Sequence, residues 1–325
     1  MKTLRVVSVS GGKDSTACAL MALEQFPRDG IRLVFADTGN EHEQTYRYVL
    51  DYMPAALGIA VDVVRASFAE QIECKARFVA EKWPEFGISD DKVRRALAAL
   101  KPTGVPYLDL CIWKGRFPSR RAQFCTQELK TIPLAEYQND LLDAGYLVES
   151  WQGVRADESF NRRHLHERED RGGGFTIYRP ILTWTAQQTI DFVRSRGIDL
   201  NPLYSQGMHR VGCMPCINAR KSEIAEIARR FPEHVERIAE WERLVGEASK
   251  RGASTFFRAQ KKRLSTEEAV KQANIRAIVE RVTLGVDTIT IGLRRDQVFA
   301  HVEHGVTLEH LQMRLVGDDE LIDEG

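Results

Sequence analysis

The chain has 325 residues, enough to bury a substantial core and to form one large domain with an appendage, or two domains. Its 46 basic and 46 acidic side chains cancel, which excludes a general field that draws it to nucleic acid and leaves only local patches for such contacts. With 43% hydrophobic residues, no apolar run near the ~20 residues of a membrane helix, no leader pattern, and six cysteines, too few for a disulfide scaffold, a globular cytoplasmic protein without membrane contact is expected.

Val6 to Val9 is an apolar β-branched run that breaks at Ser10 into Gly11 and Gly12 and passes at once into a helical pattern. The order is strand, phosphate loop, helix. Two glycines let the backbone turn tightly and approach a ligand, while the loop amides and the positive end of the helix favour an anion. Ser10 and Ser15 add hydroxyl donors, Lys13 adds a charge, and Asp14 offers a carboxylate to hold Mg²⁺ beside a polyphosphate. A Walker loop is excluded, because Val7 stands where its first glycine belongs and Asp14 where its Ser or Thr belongs.

Thr16 to Phe26 carries apolar residues at helical spacing, with Cys18 as a small buried filler. Ile31 to Ala36 reads as a second strand, and Asp37-Thr38-Gly39 falls at its carboxyl end, the edge where open α/β sheets bind ligands. A helix from His42 to Leu57 and a strand from Val61 to Val64 complete a βαβαβ pattern. The expected fold is therefore α/β, a Rossmann-like parallel sheet with helices on both faces. Ala66 to Trp83 is an amphipathic helix on which Cys74 reads as structural.

Residues 84 to 124 hold so many prolines and glycines that an irregular functional loop is expected. A basic segment follows, Arg116 to Thr126 with Cys125 inside it, then Lys130. Leu147 to Val154 reads as a strand leading into Gly153-Val154-Arg155-Ala156-Asp157-Glu158-Ser159 and Arg162-Arg163, where the planar fork of arginine suits phosphate oxygens. Glu167 to Gly174 continues as a polar loop with a mobile Gly172-Gly173-Gly174 tip, and His164 and His166 are surface residues. Thr185 caps a helix from Ala186 to Arg196. Cys213-Met214-Pro215-Cys216 then presents a thiolate pair able to hold one metal ion or one edge of a cluster, with a transient disulfide as the alternative.

Beyond residue 217 the pattern becomes helical, at Ser222 to Phe231, Pro232 to Lys250 and Ser265 to Val282, the last opened by a Ser265/Glu268 capping box. Basic residues gather at Arg220-Lys221, Arg229-Arg230, Lys250-Arg251 and Arg258 to Arg263, including Lys261 and Lys262, with Phe256-Phe257 among them. They suit either a nucleic-acid backbone or a salt-bridged surface. Thr288 to Leu293 reads as a late strand and Gly317 to Gly325 as a disordered acidic tail. The organisation expected is residues 1–217 as a nucleotide-binding domain, 218–285 as a helical region, and 286–325 as a small strand-containing segment with the tail.

The run Ser10 to Ser15 resembles the pyrophosphate-binding (PP) loop of the adenine nucleotide alpha-hydrolase superfamily, whose members cleave ATP between its α- and β-phosphates. Asp37 to Glu41 with Thr45-Tyr46, the basic segment with Cys125 and Lys130, the Gly153 to Arg162 segment, and Cys213 to Cys216 are in turn similar to the phosphoadenosine phosphosulfate (PAPS) reductase family, in matching order over about residues 5 to 217. The resemblance implies a HUP-type sheet binding ATP and Mg²⁺. In that reading Gly11, Gly12 and Ser15 hold the β- and γ-phosphates, with Ser10 beside them, and Asp14 positions Mg²⁺. Lys13, Lys130 and Arg155 neutralise charge as pyrophosphate leaves. Asp37, Thr38, Gly39, Glu158 and Arg162 line the nucleotide. It further implies a metal centre on Cys125, Cys213 and Cys216, a [4Fe–4S] cluster with Zn²⁺ as the alternative; cluster-bearing members often carry two adjacent cysteines where this chain has Phe124-Cys125-Thr126, and Cys111 is the candidate fourth ligand, with an iron open to sulfide or substrate as the alternative.

Three functions follow from these residues. One is an ATP-dependent enzyme that adenylates a substrate and transfers sulfur to it; a second is a PAPS or adenylyl-sulfate reductase; a third is a non-catalytic, metal-stapled nucleic-acid-binding module. The reductases use a cysteine in a Glu-Cys-Gly-Leu-His-like segment, whereas here no cysteine follows Cys216 and Leu308-Glu309-His310 is the nearest remnant. The intact loop with its cysteines resembles instead the enzymes that install phosphorothioate in DNA and those that thiolate tRNA. That likeness implies DNA or tRNA, a sulfur donor such as a cysteine desulfurase, and a second copy of the chain as partners.

Overall fold

The computed structural model describes residues 1–257 and 265–287. The expected strand Thr288 to Leu293, the acidic tail, Leu308 to His310 and the basic run Arg258 to Arg263 lie outside the described residues.

The chain opens with β1 (Thr3–Val9), α1 (Lys13–Gln25) and β2 (Ile31–Ala36), then α2 (Glu43–Arg47), a π-helical turn at Tyr48–Tyr52, and α3 (Met53–Leu57). After β3 (Val61–Val64) come α4 (Ala69–Glu85), α5 (Asp90–Ala99), α6 (Pro106–Lys114), α7 (Phe124–Thr126), a second π turn at Gln127–Thr131, and α8 (Ile132–Asp143). Next are β4 (Leu147–Trp151), β5 (Arg168–Asp170), β6 (Phe175–Tyr178) and α9 (Ala186–Ser195). Four helices follow: α10 (Lys221–Arg230), α11 (Pro232–Glu247), α12 (Thr266–Ala273) and α13 (Ile275–Asp287).

Six strands form one sheet in the order β3-β2-β1-β4-β6-β5, all parallel except β5, which pairs antiparallel with β6 at the edge. Alternate residues of each strand face opposite sides. Val7, Val9, Leu33 and Phe35 pack on one face with α1 residues such as Ala19 and Leu20, whereas Val6, Val34 and Val148 meet Leu134, Tyr137 and Leu141 of α8 on the other. The sheet is thus covered on both faces, as the βαβαβ pattern implied. Thr185 caps α9 in a reciprocal box with Gln188, and Ser265 does the same for α12 with Glu268.

The structure corrects three sequence expectations. Residues 84 to 124 are mostly helical, because their breakers sit at helix ends: Pro106 stands in the first turn of α6, and Gly115 ends it in a left-handed conformation at φ 65°. Glu167 to Gly174 is half of a hairpin rather than a plain loop, its β5 strand short and charged as an edge strand is, with the three glycines forming the turn. Cys74 is exposed on α4.

Helices α4, α5 and α6 share one core with the C-terminal helices: Ile72, Trp83, Tyr107 and Ile112 pack in the same cluster as Ile238, Trp241 and Val245 of α11. Within it, Glu242 accepts hydrogen bonds from the backbone N–H of Phe256 (2.7 Å) and Ile275 (3.0 Å), stitching the segment after α11 and the start of α13 to one side chain. Burial lifts its carboxyl from 4.5 to about 7 despite those two bonds. A carboxyl that keeps its proton more tightly when folded contributes stability below its unfolded value and loses it as pH rises through the folded one. Denaturant melts are therefore expected to show stability falling between about pH 5 and 8, and Glu242→Gln to flatten that fall by on the order of 2 kcal/mol. An equally steep fall in the variant would exclude Glu242 as its source.

Candidate nucleotide pocket and cysteine centre

The chain leaves β1 toward β2 on one side and returns to β4 on the other, so the carboxyl ends of β1 and β4 diverge and open a crevice. The phosphate loop fills one lip. Gly11 adopts φ +73°, and a Cβ there would meet Val49 at 3.0 Å and Thr45 at 3.1 Å. Ser15 Oγ accepts from the Ser10 amide at 3.1 Å and donates to the Gly12 carbonyl at 3.0 Å, which fixes the turn. The Lys13 amide donates to Tyr204 Oη at 3.1 Å, so a residue 191 positions away takes one of the loop's donors.

The other lip is the segment after β4. Gly153 lies against the start of α1: an added Cβ would stand 2.9 Å from the Asp14 carbonyl carbon and 3.0 Å from the Ser15 amide. Both are backbone atoms and cannot swing aside. Gly153→Ala is expected to cost about 1–3 kcal/mol of stability and to part the two lips, read by denaturant melts and nucleotide calorimetry. A variant equal to the parent in both would show that the lips tolerate separation.

Arg155, 4% exposed, reaches across the crevice from this lip. Its Nε donates to Asp14 Oδ1 at 2.7 Å, while its other nitrogens meet Asp157 and Glu158, and Glu158 also pairs with Arg162. Among the described residues Asp14 Oδ2 is paired with Lys13 Nζ alone, at 3.5 Å, which leaves it the less engaged of the two oxygens. Burial, and then the charges of Arg210 and Arg155, depress Arg162 below the usual arginine value despite the favourable pull of Asp14. Like charges crowded at the mouth of a crevice are the electrostatic form of an anion site. Arg210, which the sequence reading did not single out, belongs to this group.

A second centre adjoins the first. Cys213 and Cys216 sit in a loop laced to the residues after β2: Met214 N donates to Asn40 O (2.7 Å), Asn40 Nδ2 donates to Pro215 O (3.1 Å), and Glu41 pairs with Cys213 as an isolated β-bridge. Cys111 on α6 is fully buried, and Cys125 lies on α7. Burial raises the thiols of Cys111, Cys125 and Cys213, the last to about 12 with the Glu41 carboxylate adding to the effect. The Tyr107 phenol is pushed up by burial and then by the charges of the four cysteines, and among the described residues its buried hydroxyl has no hydrogen-bond partner.

Lys130, in the second π turn, is brought to this centre rather than to the phosphate loop. Its ammonium is favoured foremost by Cys213 and then by Glu41, Cys216 and Cys125, outweighing its burial. An ammonium beside Cys213, Cys216 and Cys125 and a phenol under the influence of all four cysteines form a set suited to a thiolate-bound metal, whose negative charge they would offset.

Among the described residues, one trio of metal-type donors lies within 4.8 Å of one another: His42, Glu43 and His234. The two imidazoles stack at 4.9 Å with an interplanar angle of 15°. Nδ1 of His42 accepts from the Gln44 amide at 3.0 Å, and Nδ1 of His234 lies 2.8 Å from the Arg237 guanidinium and 3.3 Å from the Met214 carbonyl. The neutral His42 ring therefore carries its hydrogen on Nε2, facing Glu43, where a metal would need a lone pair. Burial holds both histidines below their ordinary value, in keeping with neutral rings.

Of the residues singled out from sequence, Ser10 to Ser15, Arg155, Glu158 and Arg162 meet at the crevice, and Cys111, Cys125, Cys213, Cys216 and Lys130 meet at the second centre. Asp37 meets Tyr46 and Arg65, Thr38 Oγ1 lies 3.3 Å from Cys213 Sγ, and Gly39 packs against Pro106. Cys18 is buried inside α1, as expected.

A glycine-turned phosphate loop at the switch point of a parallel sheet defines an α/β nucleotide-binding protein of the adenine nucleotide alpha-hydrolase fold. The comparison with known families is specific within that class: the chain belongs to the phosphoadenosine phosphosulfate reductase domain family, whose model matches residues 5–219. It is 49% identical over 276 residues to an uncharacterised 37.8 kDa protein of Escherichia phage 186, covering 78% of this chain and 79% of that one. It is 35% identical over 68 residues to the adenosine 5′-phosphosulfate reductase of Allochromatium vinosum, covering 21% of this chain and 27% of that enzyme. Among solved structures, the phosphoadenylyl-sulfate reductase of Candida auris superposes with a TM-score of 0.39 at 16% identity, covering 66% of this chain and 81% of that one. Among the described residues no helix is long and apolar enough to cross a membrane.

Proposed function

We propose that the protein binds Mg-ATP in the crevice, cleaves it between the α- and β-phosphates to adenylate a substrate, and couples that activation to sulfur transfer, with a nucleic acid, DNA or tRNA, as the acceptor. The observation that carries the reading is the charge arrangement around the loop: Lys13 and Arg155 pair with Asp14, and Arg162 feels the charges of Arg210, Asp14 and Arg155, a cluster of cations suited to a polyphosphate. Gly11, Gly12 and Ser15 cradle the β- and γ-phosphates. Asp14 Oδ2 holds Mg²⁺, and Lys13 and Arg155 stabilise the charge on departing pyrophosphate, which is electrostatic catalysis by groups already in place. A substrate oxygen attacks the α-phosphorus as the α–β bridging bond breaks, and the electron pair leaves on pyrophosphate.

Cys125, Cys213, Cys216 and Cys111 would hold a metal centre beside this crevice, with Lys130 and Tyr107 compensating its charge. Tetrahedral Zn²⁺ with four sulfurs at ~2.3 Å needs them ~3.8 Å apart. Thiolate ligation suits Zn²⁺ and a [4Fe–4S] cluster alike, and the resemblance to cluster-bearing members of the family favours the cluster. Such a cluster supplies redox-active iron and a place for sulfide. The sulfur itself would come from a donor such as a cysteine desulfurase.

The similarity to adenosine 5′-phosphosulfate reductases favours a second reading, reduction of an adenylyl sulfate in the same crevice. Calorimetry with Mg-ATP, adenosine 5′-phosphosulfate and its 3′-phosphorylated form separates them, together with a pyrophosphate assay. Binding of ATP with pyrophosphate release supports the first reading. Binding of the sulfated nucleotides alone, with sulfite released in the presence of a thiol reductant, overturns it. Nuclease-sensitive material that co-purifies, identified by mass spectrometry, names the acceptor.

A further inference from the structure

A 3₁₀ turn at Pro202–Gln206 packs against the phosphate loop and is keyed to it. Asn201, 1% exposed, caps the turn by accepting from the Leu203 amide at 3.1 Å, and its Nδ2 donates to Thr45 Oγ1 at 3.2 Å. That same Nδ2 stands 3.3 Å from where a Cβ on Gly11 would lie. Leu203 anchors the turn in a small core with Met208 and Val211, against which Tyr204 also packs. These contacts bring one side chain to the loop. Tyr204 Oη accepts from the Lys13 amide at 3.1 Å and stands 3.5 Å from the place of a Gly12 Cβ, while the Lys13 ammonium lies over its ring, 5.6 Å from the centre.

A phenol accepts on its lone pairs and donates its one hydrogen. Lys13 uses the first capacity. The second is unspent, because among the described residues no acceptor takes the Tyr204 hydrogen. Burial, with the Asp14 carboxylate adding to it, pushes the phenol up to about 12 against the pull of the Lys13 amide, so the hydrogen stays in place at neutral pH. A hydroxyl that accepts from an amide is polarised and donates more strongly in turn. The loop donor that Tyr204 takes up is thus handed on as an O–H beside Gly12.

We propose that Tyr204 is an anion-binding residue of the phosphate loop, its hydroxyl donating to a phosphate oxygen while it accepts from Lys13. The inference rests on the reading that a polyphosphate occupies the loop, and it adds to that site a donor supplied from 191 positions away. The ring meanwhile gives the Lys13 ammonium a face to rest against. The hydroxyl acts on the pyrophosphate half of the nucleotide and not on the adenosine.

The test is calorimetry on the full chain with Mg-ATP, inorganic pyrophosphate and AMP. Tyr204→Phe keeps the ring and loses the hydroxyl alone. It is expected to weaken ATP and pyrophosphate by about tenfold or more, the worth of a hydrogen bond to a charged group, and to leave AMP within about twofold of the parent. Equal pyrophosphate affinity in the variant overturns the proposal. Tighter binding also overturns it, since the hydroxyl would then be a plug on the Lys13 amide, and so does an equal loss for AMP, the mark of a loop merely loosened. Replacing Tyr204 with 4-aminophenylalanine separates donation from acceptance, because its amine donates from the same place and accepts poorly. Pyrophosphate affinity is then expected to stay within about threefold of the parent. A loss as large as that in Tyr204→Phe would leave the hydroxyl only the task of holding Lys13 and overturns the proposal. The same replacement decides the matter if thermal melts show Tyr204→Phe to be unfolded. Should the parent bind adenosine 5′-phosphosulfate but neither ATP nor pyrophosphate, the ATP reading fails, and Tyr204 is judged by the same two variants with that nucleotide against AMP. A parent that binds none of these overturns both.

Discussion

Replacing Asp14 with asparagine is expected to lower pyrophosphate release by at least about 10³-fold while the protein stays folded. The loss is large because one carboxylate has two duties. Its Oδ1 fixes Arg155 across the crevice at 2.7 Å, and its Oδ2, 3.5 Å from Lys13 Nζ, is the oxygen that would hold Mg²⁺ in the proposed reaction. Asparagine keeps the shape but brings an amide that neither anchors the guanidinium as a charged pair nor holds Mg²⁺. The fold survives because Asp14 belongs to the surface of the crevice and Arg155 retains Asp157 and Glu158, so the stability cost is about 1 kcal/mol. A pyrophosphate assay and a thermal melt read the two effects separately. Turnover equal to the parent would remove Asp14 from the mechanism.

The second large effect is expected at the cysteines. Cys213→Ser should reduce iron and acid-labile sulfide in anaerobically purified protein by at least about tenfold, since the hydroxyl is a poor substitute for a thiolate on a soft metal. Cys111→Ala tests the fourth ligand: its sulfur is fully buried on α6 among residues that Tyr107 also faces, so the variant should lose metal as well. Full occupancy in Cys111→Ala would exclude that residue and leave three cysteines. A colourless parent protein with one equivalent of zinc would exclude the cluster. Tyr107→Phe removes a charge-compensating hydroxyl and no ligand, so it should lose less metal than Cys111→Ala.

What could be read in the sequence was whatever is local. Strand, two glycines, lysine and helix N-terminus are contiguous, so Ser10 to Ser15 announces its chemistry within six residues, and Cys213 to Cys216 does the same within four. The breakers of residues 84 to 124 misled because proline and glycine mark helix ends as well as loops. Only the intervening apolar positions, Leu108, Leu110 and Ile112, tell a short buried helix from a lid, and they do so once the core they fill is known. β5 escaped notice because an edge strand of three residues, all charged, carries no hydrophobic alternation. Tyr204, Arg210 and Tyr107, and the pairing of Glu41 with Cys213, were invisible for a different reason. Each acts on a group far away in the chain, Tyr204 on Lys13 across 191 positions and Cys213 on Glu41 across 172, and no window of sequence contains both partners.

The π turn at Gln127–Thr131 bears on how this chain tolerates length changes. A π turn holds one residue more than an α turn, so everything before it is rotated by about 100° relative to everything after it. Helix α8 is fixed by its seat on the sheet, where Leu134 and Leu141 meet Val6 and Val34, so it cannot turn to absorb a change in count. Deleting a single residue here would leave a regular α-helix with every backbone bond satisfied, and secondary structure alone would report no damage. The rotation would pass entirely to the preceding segment and swing Cys125 about 100° around the helix axis, out of line with Cys216. The extra residue therefore acts as a phase shifter, and the helix spends its irregularity on aiming one sulfur.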